Sequence, residues 1–209
     1  MKGYVLAAGL SCVLAVPVIA AGQTAKQPPA TAHPAARSAA QSKPAAGGVA
    51  AADRAFAKEA ATGGMAEVDL GQLAASKASN ADVKQFGQRM VDDHSKANDE
   101  LKSWASQKSV TLPTELDAKH KAEHARLDKL SGEAFDRAYM AAMVTDHNQD
   151  VAAFQRESKM AKDADLKAWA AKTLPTLQEH QKMAKDINAK VHATAAKTTA
   201  AKAKKPGTK

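Results

Sequence analysis

The chain has 209 residues, enough for one domain of ordinary size with tails. Aromatic residues make up only 4% and alanine is abundant, which disfavours a sheet-built core and favours helices packed through Ala, Leu, Val and Met. The formal net charge is +8, but all 22 acidic residues and only 20 of the 30 basic ones lie within residues 51–187, leaving that segment at −2. A nucleic-acid-binding domain would show the opposite balance, so no specific nucleic-acid contact is expected.

Residues 1–21 read as a signal peptide. Lys2 precedes an apolar run from Tyr4 to Ala21 that ends in small residues, with Pro17 interrupting it. The run is barely long enough to span a bilayer, so cleavage and export to a bacterial periplasm or beyond are expected, with no transmembrane segment left afterwards. Cys12 is the only cysteine, and Gly9-Leu10-Ser11 before it is a poor lipoprotein signal. The mature chain would therefore carry no thiol chemistry. Residues 22–50 are rich in Ala, Pro, Gln, Ser and Gly, and are expected to form a disordered linker.

Four long helices and one short one follow. The first is expected over 52–78, with Phe56, Ala60, Gly63, Glu67, Leu70 and Ala74 stepping along one seam. Gly63-Gly64 either permits a close helix approach or marks a break. Asn80 is an N-cap for the second helix, expected from Ala81 to about Ser109 with Val83, Gly87, Met90, His94, Ala97, Leu101 and Trp104 on its stripe. Residues 115–130 read as a shorter helix anchored by Leu116, Leu127 and Leu130, punctuated by Ser131-Gly132.

The third long helix is expected over 132–160. Met140, Met143, His147, Val151 and Phe154 share one face, so a titratable ligand-type residue stands in a buried stripe. Asp163 can cap the fourth, which carries Leu166, Ala170, Thr173, Leu177, His180, Ala184 and Ile187. Pro175 lies inside it and leaves the Ala171 carbonyl without its usual donor, so a kink and a small polar access gap beside His180 are expected. The bundle is bounded at 51–190. Residues 191–209 are expected to be a disordered Lys-rich tail able to make weak contact with an anionic envelope surface.

Glu67, His94, His147 and His180 each occupy a seam position near the middle of a different long helix. Glu67 and His94 lie about 13 and 14 residues from the turn near Asn80, a few ångströms apart in height at about 1.5 Å per residue. Three imidazoles and one carboxylate at one level are a credible shell for one divalent transition metal: zinc, copper or iron. Asp93, Asp146 and Glu179 precede the histidines and suit contacts that support the ligands. Against this stands a structural reading, in which each histidine hydrogen-bonds a core partner such as Tyr139 or Asp136. His120 and His124 are four apart but sit in a polar helix, where a solvated pair is the simpler reading, and the remaining methionines are spaced as core packing. No catalytic nucleophile arrangement or phosphate loop is present, so no catalytic residue is assigned.

Ala66-Glu67-Val68 with Leu70-Gly71, Phe86-Gly87-Gln88-Arg89-Met90-Val91-Asp92-Asp93-His94, Phe135-Asp136-Arg137-Ala138-Tyr139 to His147, and Leu174-Pro175-Thr176-Leu177-Gln178-Glu179-His180 resemble the DUF4142 family of exported bacterial proteins. The resemblance spans about residues 52–190. It implies a ferritin-like four-helix bundle, all-α, with the short extra helix in the crossover between long helices two and three. It carries no settled biochemical activity. Ferritin-like di-iron enzymes use Glu-x-x-His on two helices. Here Val91 stands three residues before His94 and Leu177 three before His180, so ferroxidase or oxygenase activity does not carry over and a mononuclear site is what remains. Two functions fit: a metal-binding bundle, or a non-catalytic envelope stress or interaction protein whose buried histidines are structural.

Overall fold

The computed structural model describes residues 48–203. The expected leader (1–21), the linker up to residue 47 and the last residues of the tail (204–209) lie outside the described residues. Within them the chain forms α1 (Ala51–Lys77), α2 (Ala81–Gln107), α3 (Ala118–Asp128), α4 (Gly132–Met160) and α5 (Ala164–Ala203). The architecture is all-α.

Helix ends follow their local chemistry. The Asn80 side chain accepts from the backbone N–H groups of Asp82 and Val83, and Asp163 does the same for Asp165 and Leu166. The second helix stops earlier than expected because Ser109 adopts φ 55°, letting Val110 N–H donate back to Ala105 and Ser109 N–H to Ser106. This is the Schellman closure, formed here without glycine, so no residue type announced it.

α1 pairs with α2 and α4 with α5 as two antiparallel hairpins, joined face to face through α1–α4 and α2–α5 contacts. Two buried aspartates fix the topology. Asp53, in the first turn of α1, accepts from Lys162 N–H (3.0 Å) and Asp163 N–H (2.7 Å) in the α4–α5 turn. Asp136, in the first turns of α4, accepts from Ser79 N–H (3.0 Å), Asn80 N–H (2.9 Å) and the Ser79 hydroxyl in the α1–α2 turn. The start of α1 thus lies beside the end of α4, and the start of α2 beside the start of α4. α2 and α4 run parallel, which obliges the 108–131 connection, α3 included, to travel the length of the bundle. That up-down-down-up order is the ferritin-like arrangement.

The hydrophobic core is divided in two. One cluster gathers Leu70, Phe86, Met90, Leu127, Phe135, Tyr139, Met140, Met143 and Ile187. The other gathers Phe56, Leu101, Trp104, Val151, Phe154, Leu166, Trp169 and Leu177. Between them lies a polar layer. The hairpin α1–α2 closes tightly there: a Cβ on Gly71 would stand 2.7 Å from the Gly87 carbonyl oxygen, and one on Gly64 would stand 2.2 Å from Asn98 Oδ1. The Gly63-Gly64 pair therefore serves close approach and α1 is unbroken; Gly64 is the buried member, and Gly63 of the expected seam stands aside.

Three expectations need revision. α5 runs unbroken through Pro175, which is exposed together with Ala171, so the freed carbonyl meets solvent and not the polar layer. α5 also continues to Ala203, past the boundary drawn at 190, and Val191 is still buried in the core. Met160, grouped with core methionines, is 65% exposed.

Candidate metal centre

The polar layer brings together all four residues singled out above. His147 and His180 are fully enclosed, and Glu67 and His94 are each 5% exposed. The three imidazole centroids form a near-equilateral triangle with sides of 5.8 Å (His94–His147), 5.3 Å (His94–His180) and 5.4 Å (His147–His180). One nitrogen from each ring lies within 4.8 Å of the others. Phe86 packs against His147 and His180, fixing their ring planes.

Each ring is held by one nitrogen. His94 Nδ1 lies 2.9 Å from Glu67 Oε2. His147 Nδ1 lies 3.0 Å from the Met143 carbonyl oxygen. His180 Nε2 lies 2.8 Å from Asp93 Oδ2. All three partners are acceptors, which assigns the ring proton to the anchored nitrogen and a bare lone pair to the other. The free nitrogens are His94 Nε2, His147 Nε2 and His180 Nδ1, and each is buried without a hydrogen-bond partner. Glu67 Oε1 is likewise unbonded, with the Asp150 side chain within reach of the Glu67 carboxyl.

That makes four buried, unpartnered donor atoms, one from each helix of the bundle. Leaving such groups unsatisfied costs roughly 1–3 kcal/mol apiece. Glu67 Oε1 stands 3.4 Å from His147 Nε2. Ligands at about 2.0–2.1 Å from a tetrahedral ion are separated by about 3.3–3.4 Å, so this edge already has the dimension of a coordination shell.

The protonation states agree. Burial pushes His94 down to about 4 and His180 to about 3, and lowers His147 as well, so the rings are neutral at pH 7 and their lone pairs are available. Burial pushes Glu67 up to about 7, opposed by His147. Asp150 is raised well above the carboxylate range by the same desolvation and by the Glu67 charge.

The supporting residues differ in part from expectation. Asp93 does reach across from α2 to orient His180, and Arg89 ties Asp93 (3.2 Å) to Glu179 (2.7 Å) outside it. The two core partners offered by the structural reading are not used: Asp136 is committed to the α1–α2 turn, and Tyr139 Oη has no partner. Asp150 was missed. It joins Glu67 and His147 as a second candidate ligand group, and its signal was its place one turn beyond His147 on α4. His120 and His124 do not converge: His120 pairs with Asp117 (2.8 Å) and His124 with Asp69 (2.5 Å).

Fold and site together define a ferritin-like four-helix bundle with a three-histidine, one-glutamate layer at mid-height. The family profile described as "Domain of unknown function (DUF4142)" matches residues 38–187, and the chain belongs to that family. No curated protein matches the chain. Among solved structures, a DUF305 fragment from Deinococcus radiodurans is similar at a TM-score of 0.61 and 12% identity, over 69% of this chain and 99% of that one. A DUF305 protein from Streptomyces coelicolor is similar at a TM-score of 0.59 and 13% identity, over 68% and 92%. At these identities the likeness concerns the fold alone. No helix among the described residues is long and apolar enough to cross a membrane.

Proposed function

We propose that this chain is an exported bacterial bundle protein that holds one divalent transition metal between Glu67, His94, His147 and His180. The observation that carries the reading is the four buried donor atoms, one per ligand, that point away from every anchoring hydrogen bond. Most buried polar atoms are satisfied, and what marks these four is their convergence: Glu157 Oε1, Trp169 Nε1 and Asn188 Oδ1 are also unpartnered but belong to no such cluster. Three imidazoles and a carboxylate suit zinc, copper or iron and offer nothing to calcium or magnesium, which prefer oxygen. No catalytic residue is assigned.

The test is metal content and calorimetry on chelator-stripped protein. Wild type should take up one zinc or copper ion per chain, and the His94→Ala, His147→Ala double variant should take up none while keeping its helical spectrum. Identical binding by both would contradict the proposal and leave the histidines as core residues.

Export rests on the leader at 1–21, with 22–50 as a tether and the periplasm or cell exterior as the destination. Six lysines after residue 187, against a core segment at −2, support weak contact of the C-terminal end with anionic envelope surfaces. Truncation after His192, which retains the buried Val191, should abolish low-salt vesicle binding; unchanged binding would reject the contact.

A further inference from the structure

An ion reaching the polar layer must pass between helices, because the four ligands are almost wholly enclosed. On the α2–α5 side, Asp93 and His180 lie behind the Arg89 guanidinium, which is bonded to both Asp93 and Glu179. Entry there would have to part both ion pairs.

The α3–α4 side is open. Between α3 and α4 lies a cavity of about 460 Å³ lined by Leu70, Ala138, Ala142 and Asp146, with Lys119, His120, Glu123 and Arg126 on its α3 side, the last two paired with each other. Small alanines on α4 leave the space. α3 is fastened to α1, through Asp69–His124 (2.5 Å) and Lys77–Asp128 (2.8 Å), and no hydrogen bond or ion pair ties it to α4 among the described residues. The cavity floor, Leu70, is the next turn of α1 after Glu67. Asp146 stands in the wall beside His147. It is half-buried with no hydrogen-bond or ion-pair partner among the described residues. Its field reaches Glu67, Asp150 and Tyr139 inside the bundle, and Lys119, His120 and Glu123 act on it from outside. It is thus a carboxylate that touches both the cavity and the field of the buried cluster.

We propose that this cavity is the port through which a divalent cation reaches the buried cluster, with the Asp146 carboxylate as its waypoint. The inference rests on the metal-binding reading above. Crossing the port means displacing Leu70 or the α4 alanine face by a small local opening of α3, whose polar ties run to α1 and whose Leu127 shares the core with Tyr139 and Met140 of α4. The carboxylate then passes a partly dehydrated cation inward to Glu67 and Asp150. The route sets rates, whereas the four ligands set affinity.

Stopped-flow absorbance with Co²⁺ on the chelator-stripped full chain tests this. Asp146→Asn should load about tenfold more slowly at low salt, with the gap narrowing as salt rises, because a steering charge has been lost. Ala142→Phe fills the cavity and should slow loading and release alike by about tenfold or more, leaving the dissociation constant within about twofold. Should Ala142→Phe lose its helical spectrum, Asp146→Asn alone decides. Normal Co²⁺ binding with wild-type loading rates in the folded variants overturns the port and leaves the metal site standing. No Co²⁺ binding by wild type overturns both.

Discussion

Two sets among the buried polar residues of this bundle are treated in opposite ways. At the ends, Asp53 and Asp136 each accept backbone N–H groups from the turn of the other hairpin, and neither has an orphaned oxygen. At mid-height, Glu67, His94, His147 and His180 each keep one atom without a partner. The end residues close the fold; the middle residues hold positions open. Folding alone would select the first pattern and disfavour the second, since an unsatisfied buried group subtracts from stability. The difference separates what the protein needs to stand from what it needs to bind.

Breaking an end should therefore cost the most. Asp136→Ala strips the α1–α2 turn of three hydrogen bonds and should lower unfolding free energy by roughly 3–5 kcal/mol in urea titrations, with metal stoichiometry unchanged in the folded fraction. Lost metal binding in a folded Asp136→Ala protein would erase the distinction between the two sets.

Acid sharpens the comparison next. His180 is depressed from 6.5 to about 3, so it stays neutral in the fold while the unfolded chain takes up a proton below pH 6.5. Its contribution is complete above pH 6.5 and is lost as pH falls toward 3. Glu67 acts oppositely: raised from 4.5 to about 7, it favours the fold below pH 4.5 and loses that contribution as pH rises through 7. In metal-free protein, His180→Gln should shrink the stability lost between pH 7 and pH 4 by an amount on the order of 3 kcal/mol, at about 1.4 kcal/mol per pH unit. An unchanged acid limb by chemical denaturation would show that His180 is already protonated in the fold.

Pro175→Ala should raise stability by about 1–2 kcal/mol in thermal melts, because alanine restores a helical N–H on an exposed face. Metal affinity should not change, since the freed carbonyl faces solvent. The smallest effect belongs to the middle layer. Exchanging the contacting pair for apolar residues, Glu67→Met with His94→Leu, should leave metal-free stability within about 1 kcal/mol of wild type, because a half-satisfied polar pair is replaced by packing. A large loss in the same urea titration would assign these residues to the structural set.

Much of this was legible from residue types. The caps at Asn80 and Asp163, and the three- and four-residue steps through Met140, Met143 and His147, place the long helices and put four ligand-type residues at one height. Asp136 and Tyr139 were open to misreading, because periodicity tells which face a residue occupies but not which turn of another hairpin it meets. Asp150 sits one turn from His147 beside polar Asn148 and Gln149, where the sequence reads as solvated surface; only the approach of Glu67 on α1 makes it part of the layer. The cavity under α3 was hidden for the same reason: it depends on the polar ties of α3 running to α1 and not to α4.

A metal centre here means that one ion meets the four free atoms at once. X-ray absorption at the zinc edge, on protein loaded with one equivalent of zinc, measures that shell directly. The expected shell is three imidazole scatterers and one oxygen at about 2.0–2.1 Å, lost in the His94→Ala, His147→Ala double variant. An oxygen-only shell with no imidazole scattering, present equally in the variant, would place the ion on the surface carboxylates and contradict it.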